Sequence, residues 1–206
     1  IVHSVEADQS TTDMKNYAKS DLLYAAKKGV ARSKDAVELT FYHMLSKVEV
    51  ALKSGDGNPD LTGATVTIEG TRLKADFTPD KTKDIADASS GQVNRASMIG
   101  ITEGNNDAAP IKIRTVTTTD FDTNTDYGEA VVLPEQTIDR NAKFIKVALA
   151  NGGTFYYSIP DADGLTLESG KKYIYKITVN RTGLTVNSTI SNWTEVAAKA
   201  GDAVME

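Results

Sequence analysis

The chain has 206 residues, of which 40% are hydrophobic and 25% charged, and its formal net charge of -5 at pH 7 reflects 28 acidic against 23 basic side chains. That length supports one good-sized domain with an extension, or two small domains. The acidic balance and scattered Lys argue against a nucleic-acid partner, which would need clustered cations to replace phosphate counterions. The absence of Cys excludes disulfides, thiolate catalysis and Cys-ligated zinc, and no apolar run reaches the roughly 18 to 20 residues that span a bilayer as a helix.

The chain starts at Ile1 with neither Met nor a signal-like apolar stretch, which suggests a processed or trimmed form of something longer. Residues 1–35 are polar and mixed, with an apolar beginning at Ile1, Val2 and Val5 and an island at Leu22, Leu23 and Tyr24. They are expected to form an extension holding one short strand, with His3 in a mobile part of it. From Ala36 onward, alternating apolar runs separated by turn signals predict an all-β domain that extends to Thr194.

The run Val37 to Leu52 changes face once. Val37, Leu39, Phe41, His43 and Leu45 share one parity, and Val48, Val50 and Leu52 the other. Strand side chains alternate with period two, so one inward face across that shift requires a bulge or bend near Ser46 and Lys47. An amphipathic helix is the alternative, but β-branched and aromatic content favours one long bent strand. Thr65–Ile68 and Leu73–Phe77 flank Glu69-Gly70 and predict a hairpin. Asp80 to Asn94 reads as loop with a helical turn. Phe144–Leu149 and Thr154–Ile159 flank Asn151-Gly152-Gly153, a second hairpin. Tyr173, Tyr175, Ile177 and Val179 share a face and lead through Asn180-Arg181-Thr182-Gly183 to Leu184 and Val186, a third. The predicted core is Leu39, Phe41, Leu45, Val48, Val50, Ile68, Phe77, Val147, Tyr175, Ile177 and Val179, in a sandwich of about seven or more strands.

No pattern of residues identifies an enzyme. His43 lies on the inward parity between Phe41 and Leu45 and reads as a satisfied core or hinge histidine, since a catalytic base would need a nucleophile that no motif supplies. Asp120 to Glu129 places oxygens at alternate positions like the start of a calcium loop. It carries Thr125 and Val131 where such a loop needs Gly and a bidentate acid, so a solvated acidic loop is expected and no metal or other cofactor. Tyr156, Tyr157, Tyr173 and Tyr175 could form a sugar-stacking platform, although neighbouring strand residues face opposite ways and at least one of each pair is expected in the core. Acceptor patterns at Asn180, Asn187 and Asn192 are expected by chance in a Thr-rich β-protein. Trp193 is expected to close one end of the sandwich.

Several ordered motifs carry a resemblance. Asp21-Leu22-Leu23-Tyr24-Ala25, then Leu39 to Val48 (LTFYHMLSKV), Thr62-Gly63-Ala64, Val131 to Thr137 (VVLPEQT), Gly170 to Asn180 (GKKYIYKITVN) and Ile190-Ser191-Asn192-Trp193 together resemble the fimbrillin family of Bacteroidales, the subunits of type V pili. The resemblance implies a transthyretin-like antiparallel β-sandwich of Greek-key type. It also implies export as a lipoprotein, proteolytic trimming at the outer membrane surface, and polymerisation with other pilin subunits by strand donation, with host or bacterial surface receptors as further partners. In that layout residues 1–35 correspond to the end of an amino-terminal β-domain, 36–194 to the carboxy-terminal domain and 195–206 to a tail. A carbohydrate-binding module is the alternative function. Within the tail Val196, Ala198, Ala200 and Val204 alternate on one small apolar face and form the leading donor-strand candidate, with Ile1, His3 and Val5 a second.

Overall fold

The computed structural model describes residues 1–32, 36–79, 102–103, 108–116 and 126–193. In chain order the elements are β1 (Val2–Ser4), α1 (Lys15–Ser20), β2 (Leu23–Tyr24), β3 (Tyr42–His43), β4 (Ser46–Ser54), β5 (Thr65–Ile68), β6 (Lys74–Asp76), β7 (Thr102–Glu103), β8 (Ile111–Lys112) and β9 (Arg114–Val116). They continue as β10 (Asp126–Val132), β11 (Gln136–Ile138), β12 (Lys143–Ala148), β13 (Thr154–Ser158), β14 (Leu165–Leu167), β15 (Lys171–Asn180) and β16 (Gly183–Asn192). The protein is all-β, with sheets stacked in the manner of a sandwich. A five-stranded sheet ordered β16-β15-β4-β10-β9 faces a four-stranded sheet ordered β13-β12-β5-β8.

The core lies between these sheets because alternate residues of each strand are apolar. Val48, Val50 and Leu52 of β4 and Tyr173, Tyr175, Ile177 and Val179 of β15 point inward against Val66, Ile68, Phe144, Ile145 and Val147. Phe144 meets Tyr175 edge to face at 5.8 Å between ring centroids, a geometry that adds to area burial. A register shift between Lys143 and Ile145 lets two consecutive residues, Phe144 and Ile145, both be buried. Each such apolar side chain stabilises the fold by roughly 1.5 to 3 kcal/mol.

The hairpins at Asn151-Gly152-Gly153 and at Arg181-Thr182 form as expected, the first because Gly152 and Gly153 adopt φ of 96° and 102°, which other residues rarely tolerate. The sandwich is not wholly antiparallel: β15 runs parallel to β4 from Lys172↔Lys47 to Val179↔Ser54. These strands are more than a hundred residues apart, and no tight turn constrains their direction.

Two further expectations are corrected. The long strand begins only at Tyr42; residues 36–40 are irregular, Leu39 is half-buried, and Phe41 is 38% exposed rather than in the core. The bend falls at Met44 and Leu45, both fully buried, where Met44 N–H donates to Leu22 O and Leu45 O accepts from Gly170 N. Glu69-Gly70 does not close a hairpin. Glu69 N–H donates to Phe144 O, continuing the pairing of β5 with β12, and Gly70 at φ 76° turns the chain away to β6, which pairs with β1 and β7 in a separate sheet.

The amino-terminal segment is tied to the sandwich instead of hanging loose around His3. Val5 is buried, its N–H donates to Leu73 O, and residues 7–9 run parallel to β8 through Lys112 N to Ala7 O at 2.7 Å and Gln9 N to Lys112 O at 3.0 Å. His3 Nε2 lies 3.0 Å from Ser20 O at the end of α1.

Candidate functional site

Where the chain crosses through Ile113 from β8, the edge of the four-stranded sheet, to β9, the edge of the five-stranded one, a groove of about 370 Å³ lies between the sheets. Val50 and Leu52 of β4 form one wall, Val66 of β5, Leu61 and Ala64 the other, and Ser10, Lys112 and Thr115 line it as well. Gly128 is needed beside it: a Cβ there would stand 2.6 Å from Ile113 Cδ1 and 2.8 Å from Arg114 O, so any side chain would push β9 off β10. The arrangement is a slot of mixed character, with Ser10, Thr65, Lys112 and Thr115 set among the apolar side chains.

Close to it, Gln9 does the work of a missing strand. Its side-chain amide donates to Val131 O at 2.8 Å and its Oε1 accepts from Val131 N at 2.9 Å, so the part of β10 that extends past β9 keeps its ladder bonds. A buried strand edge left without them would cost about 1 to 3 kcal/mol per group.

The outward face of the five-stranded sheet carries a buried charge network. Glu49 of β4 and Glu129 of β10 are direct cross-strand partners, an arrangement that is repulsive by itself. Lys47 bridges them, with Nζ 2.7 Å from Glu49 and 3.0 Å from Glu129. Arg114 Nε donates to Glu129 at 2.8 Å, and Lys172 stands 3.5 Å from Glu49. Tyr17 of α1 lies over the Arg114 guanidinium, 4.2 Å from ring centroid to Cζ. Burial pushes the Glu129 carboxyl up, but Lys47 and Arg114 outweigh it and hold it below its usual value. Burial likewise pulls the Lys47 ammonium down, and the bond to Glu49 with the Glu129 charge outweighs that and holds it above its usual value. Burial first, then the Glu129 charge, pushes the Tyr17 phenol far up. Every charge here is neutralised by a neighbour, so none is free to act as a base.

His43 sits in the core as expected, with Nδ1 2.9 Å from Asp21 Oδ1 and its ring stacked on Trp193 at 3.7 Å and 5°. Trp193 closes that end of the sandwich, with Lys47 Nζ 5.6 Å from its ring and its backbone N–H donating to Gly170 O. The tyrosines are dispersed: Tyr173 and Tyr175 are buried, Tyr157 tilts against Tyr175, and Tyr156 alone of the four is exposed, with Lys143 Nζ 4.0 Å from its ring. They form no flat platform. Of the expected acidic loop, Asp126 to Glu129 belong to β10, and residues 120–125 lie outside the described residues, as do Asp80 to Asn94 and the donor candidates Val196, Ala198, Ala200 and Val204. Among the described residues no three His, Cys, Asp or Glu side chains gather to hold a metal, and no helix is long and apolar enough to cross a membrane.

The charge network and Gln9 were missed in the sequence because each joins strands distant along the chain. The signal available was Lys47-x-Glu49, two charges on one face of a strand whose other face is apolar.

A family model described as fimbrillin-like matches residues 2–193. The chain belongs to the fimbrillin-like family. It is 29% identical over 182 residues to a protein of Bacteroides uniformis assigned as fimbrium subunit Fim1C, covering 84% of this chain and 51% of that one. This fimbrillin-like chain thus spans about half the length of the relative. Its fold is also that of a protein assigned to cell adhesion from Bacteroides uniformis, with TM-score 0.62, 21% identity, and 94% of this chain covering 66% of that one. A second, from Bacteroides ovatus, gives TM-score 0.62 and 22% identity, with 94% of this chain covering 60% of that one. Family and fimbrial relative mark a structural, non-enzymatic protein.

Proposed function

We propose that this chain is a structural or adhesive subunit of a bacterial surface fimbria that polymerises with other pilin subunits by strand donation. The observation that carries this reading, beyond family membership, is the slot between the two sheets, walled by Val50, Leu52 and Val66. A donated strand gains net stability of about 1 kcal/mol per backbone hydrogen bond, plus burial of alternate side chains in pockets. Such a joint becomes long-lived when dissociation must cross a high barrier.

Val196, Ala198, Ala200 and Val204 are the proposed donor face, small enough for a narrow slot. The other candidate, Ile1 to Val5, is engaged with its own subunit through β1 and β6, which favours the carboxy-terminal segment. In the same reading the sandwich is of transthyretin-like Greek-key type, residues 1–35 are the end of an amino-terminal β-domain, and residues 36–194 form the carboxy-terminal one. The precursor is lipid-anchored at the outer membrane, and the fimbria displays the subunit to surface receptors.

Deleting residues 197–206 tests the assignment. The truncated chain is expected to remain a folded monomer that cannot extend a filament in electron micrographs. Normal filaments from the truncated protein would overturn the carboxy-terminal donor.

A further inference from the structure

β16 is an edge strand of an unusual kind. Among the described residues its one strand neighbour is β15, and the two pair without a register shift from Lys171↔Asn192 to Asn180↔Gly183. Edge strands are ordinarily guarded by charge, proline, a bulge or brevity. Gly183–Asn192 reads GLTVNSTISN: ten residues with no charge and no proline. Its inward parity runs Leu184, Val186, Ser188, Ile190. The first two are half-buried against the core, but Ile190 is 55% exposed.

We propose that β16 pairs antiparallel with β16 of a second copy of this chain, about a two-fold axis at Asn187, so that the two five-stranded sheets join into one. The Arg181-Thr182 turn closes on the Asn180–Gly183 pair. Ladder bonds then alternate along an antiparallel hairpin, and Leu184, Val186, Ser188 and Ile190 turn their N–H and C=O to the free edge. A two-fold at Asn187 matches these same residues: Leu184 meets Ile190 of the second copy and Val186 meets Ser188, each pair exchanging two backbone bonds. The exposed Ile190 gains an aliphatic cross-strand neighbour, and Thr185 faces Thr189, a favourable pair.

Charge permits the contact. The outer-face cation nearest the axis is Lys176, opposite Asn187 on β15, and the two copies of it would stand three strand spacings apart, about 14 Å, beyond the screening length of about 8 Å; Lys172 of the same face is engaged with Glu49. A pairing of this length lies at the small end of specific interfaces, under about 1,200 Å², so the isolated dimer is weak. Arrayed copies would strengthen it by avidity. This contact lies on the opposite edge of the five-stranded sheet from the slot and does not depend on the fimbrial reading.

Because the chain has no Cys, single cysteines test the axis directly. Asn187→Cys faces its own copy in a non-hydrogen-bonded pair at about 4.5 Å between Cα atoms, within disulfide reach. Thr185→Cys faces Thr189 and has no thiol partner. Under mild oxidation the Asn187→Cys chain is expected to cross-link at least roughly tenfold faster, as proximity dictates. Sedimentation of the unmodified chain should show a concentration-dependent dimer. Ser188→Pro should abolish it with little change in melting temperature, because that N–H faces the free edge; if Ser188→Pro fails to fold, Ile190→Lys replaces it. Equal cross-linking rates, a monomer at every concentration, or a dimer that survives a folded edge variant would overturn the proposal.

Discussion

Around β4 and β10 the two faces of the five-stranded sheet are both buried, yet by opposite means. On the inner face Val48, Val50 and Leu52 meet the four-stranded sheet and exclude water by apolar area. On the outer face Glu49 and Glu129 stand opposite each other, and burial is possible only because Lys47, Arg114 and Lys172 neutralise them. An apolar face tolerates rearrangement at a cost set by cavities. A buried ion network does not tolerate loss of one member, because the remaining charge has neither water nor partner. The difference teaches that in β4 and β10 strand alternation separates two kinds of interior, while in β16 it separates interior from surface.

The largest expected effect lies on the inner face. Phe144→Ala removes a fully buried ring and should lower unfolding free energy by about 4 kcal/mol through transfer and cavity terms, read from denaturant titration. Next, Glu129→Gln should cost about 3 kcal/mol, nearly as much as a core deletion although the residue is hydrophilic. A loss below about 0.5 kcal/mol, the range of ordinary surface substitutions, would mean that the outer face is effectively solvated and the comparison fails.

The same site predicts a pH dependence. The folded Glu129 carboxyl titrates below its usual 4.5, so its contribution is complete above pH 4.5 and is lost as pH falls through the lower folded value. Lys47 titrates above its usual 10.5, so its contribution is complete below that and is lost as pH rises through the higher folded value. Stability from the network is therefore greatest between the two. Chemical denaturation across pH should show an acid decline that is shallower in Glu129→Gln.

Gln9→Ala should cost about 2 kcal/mol, since the Val131 N–H and C=O lose their partners. Amide hydrogen exchange should accelerate at Val131 before it does at Val48. The smallest effect is Phe41→Ala, expected to stay within about 0.5 kcal/mol because the ring is partly exposed. A loss of 3 kcal/mol or more, as for a core ring, would restore Phe41 to the interior and with it the longer strand.

Much of this was legible beforehand. Val48, Val50, Ile68, Phe77, Val147, Tyr175, Ile177 and Val179 occupy the core positions that alternation assigns them, and the Gly152-Gly153 and Arg181-Thr182 turns join the strands that flank them. Both turns are local, fixed by residues within a few positions of each other. Glu69-Gly70 looked equally local but failed, because β5 found β12 and β6 found β1, choices that the intervening dipeptide does not control. Phe41 failed for a related reason: parity states which residues share a face, while coverage of that face depends on what packs there.

The sequence by itself determined the all-β class, the family, the hydrophobic face of each long strand and the lack of thiol chemistry, because periodicity and composition are properties of contiguous residues. Only the tertiary structure decided that β15 lies parallel to β4, that residues 7–9 extend the edge of β8, that Gln9 completes β10, and that Lys47, Glu49, Arg114 and Glu129 share one buried network. Each of these depends on the direction and register of segments brought together from dozens of residues apart or more, and pairing between such segments is set by the sum of many contacts in space instead of by any local pattern.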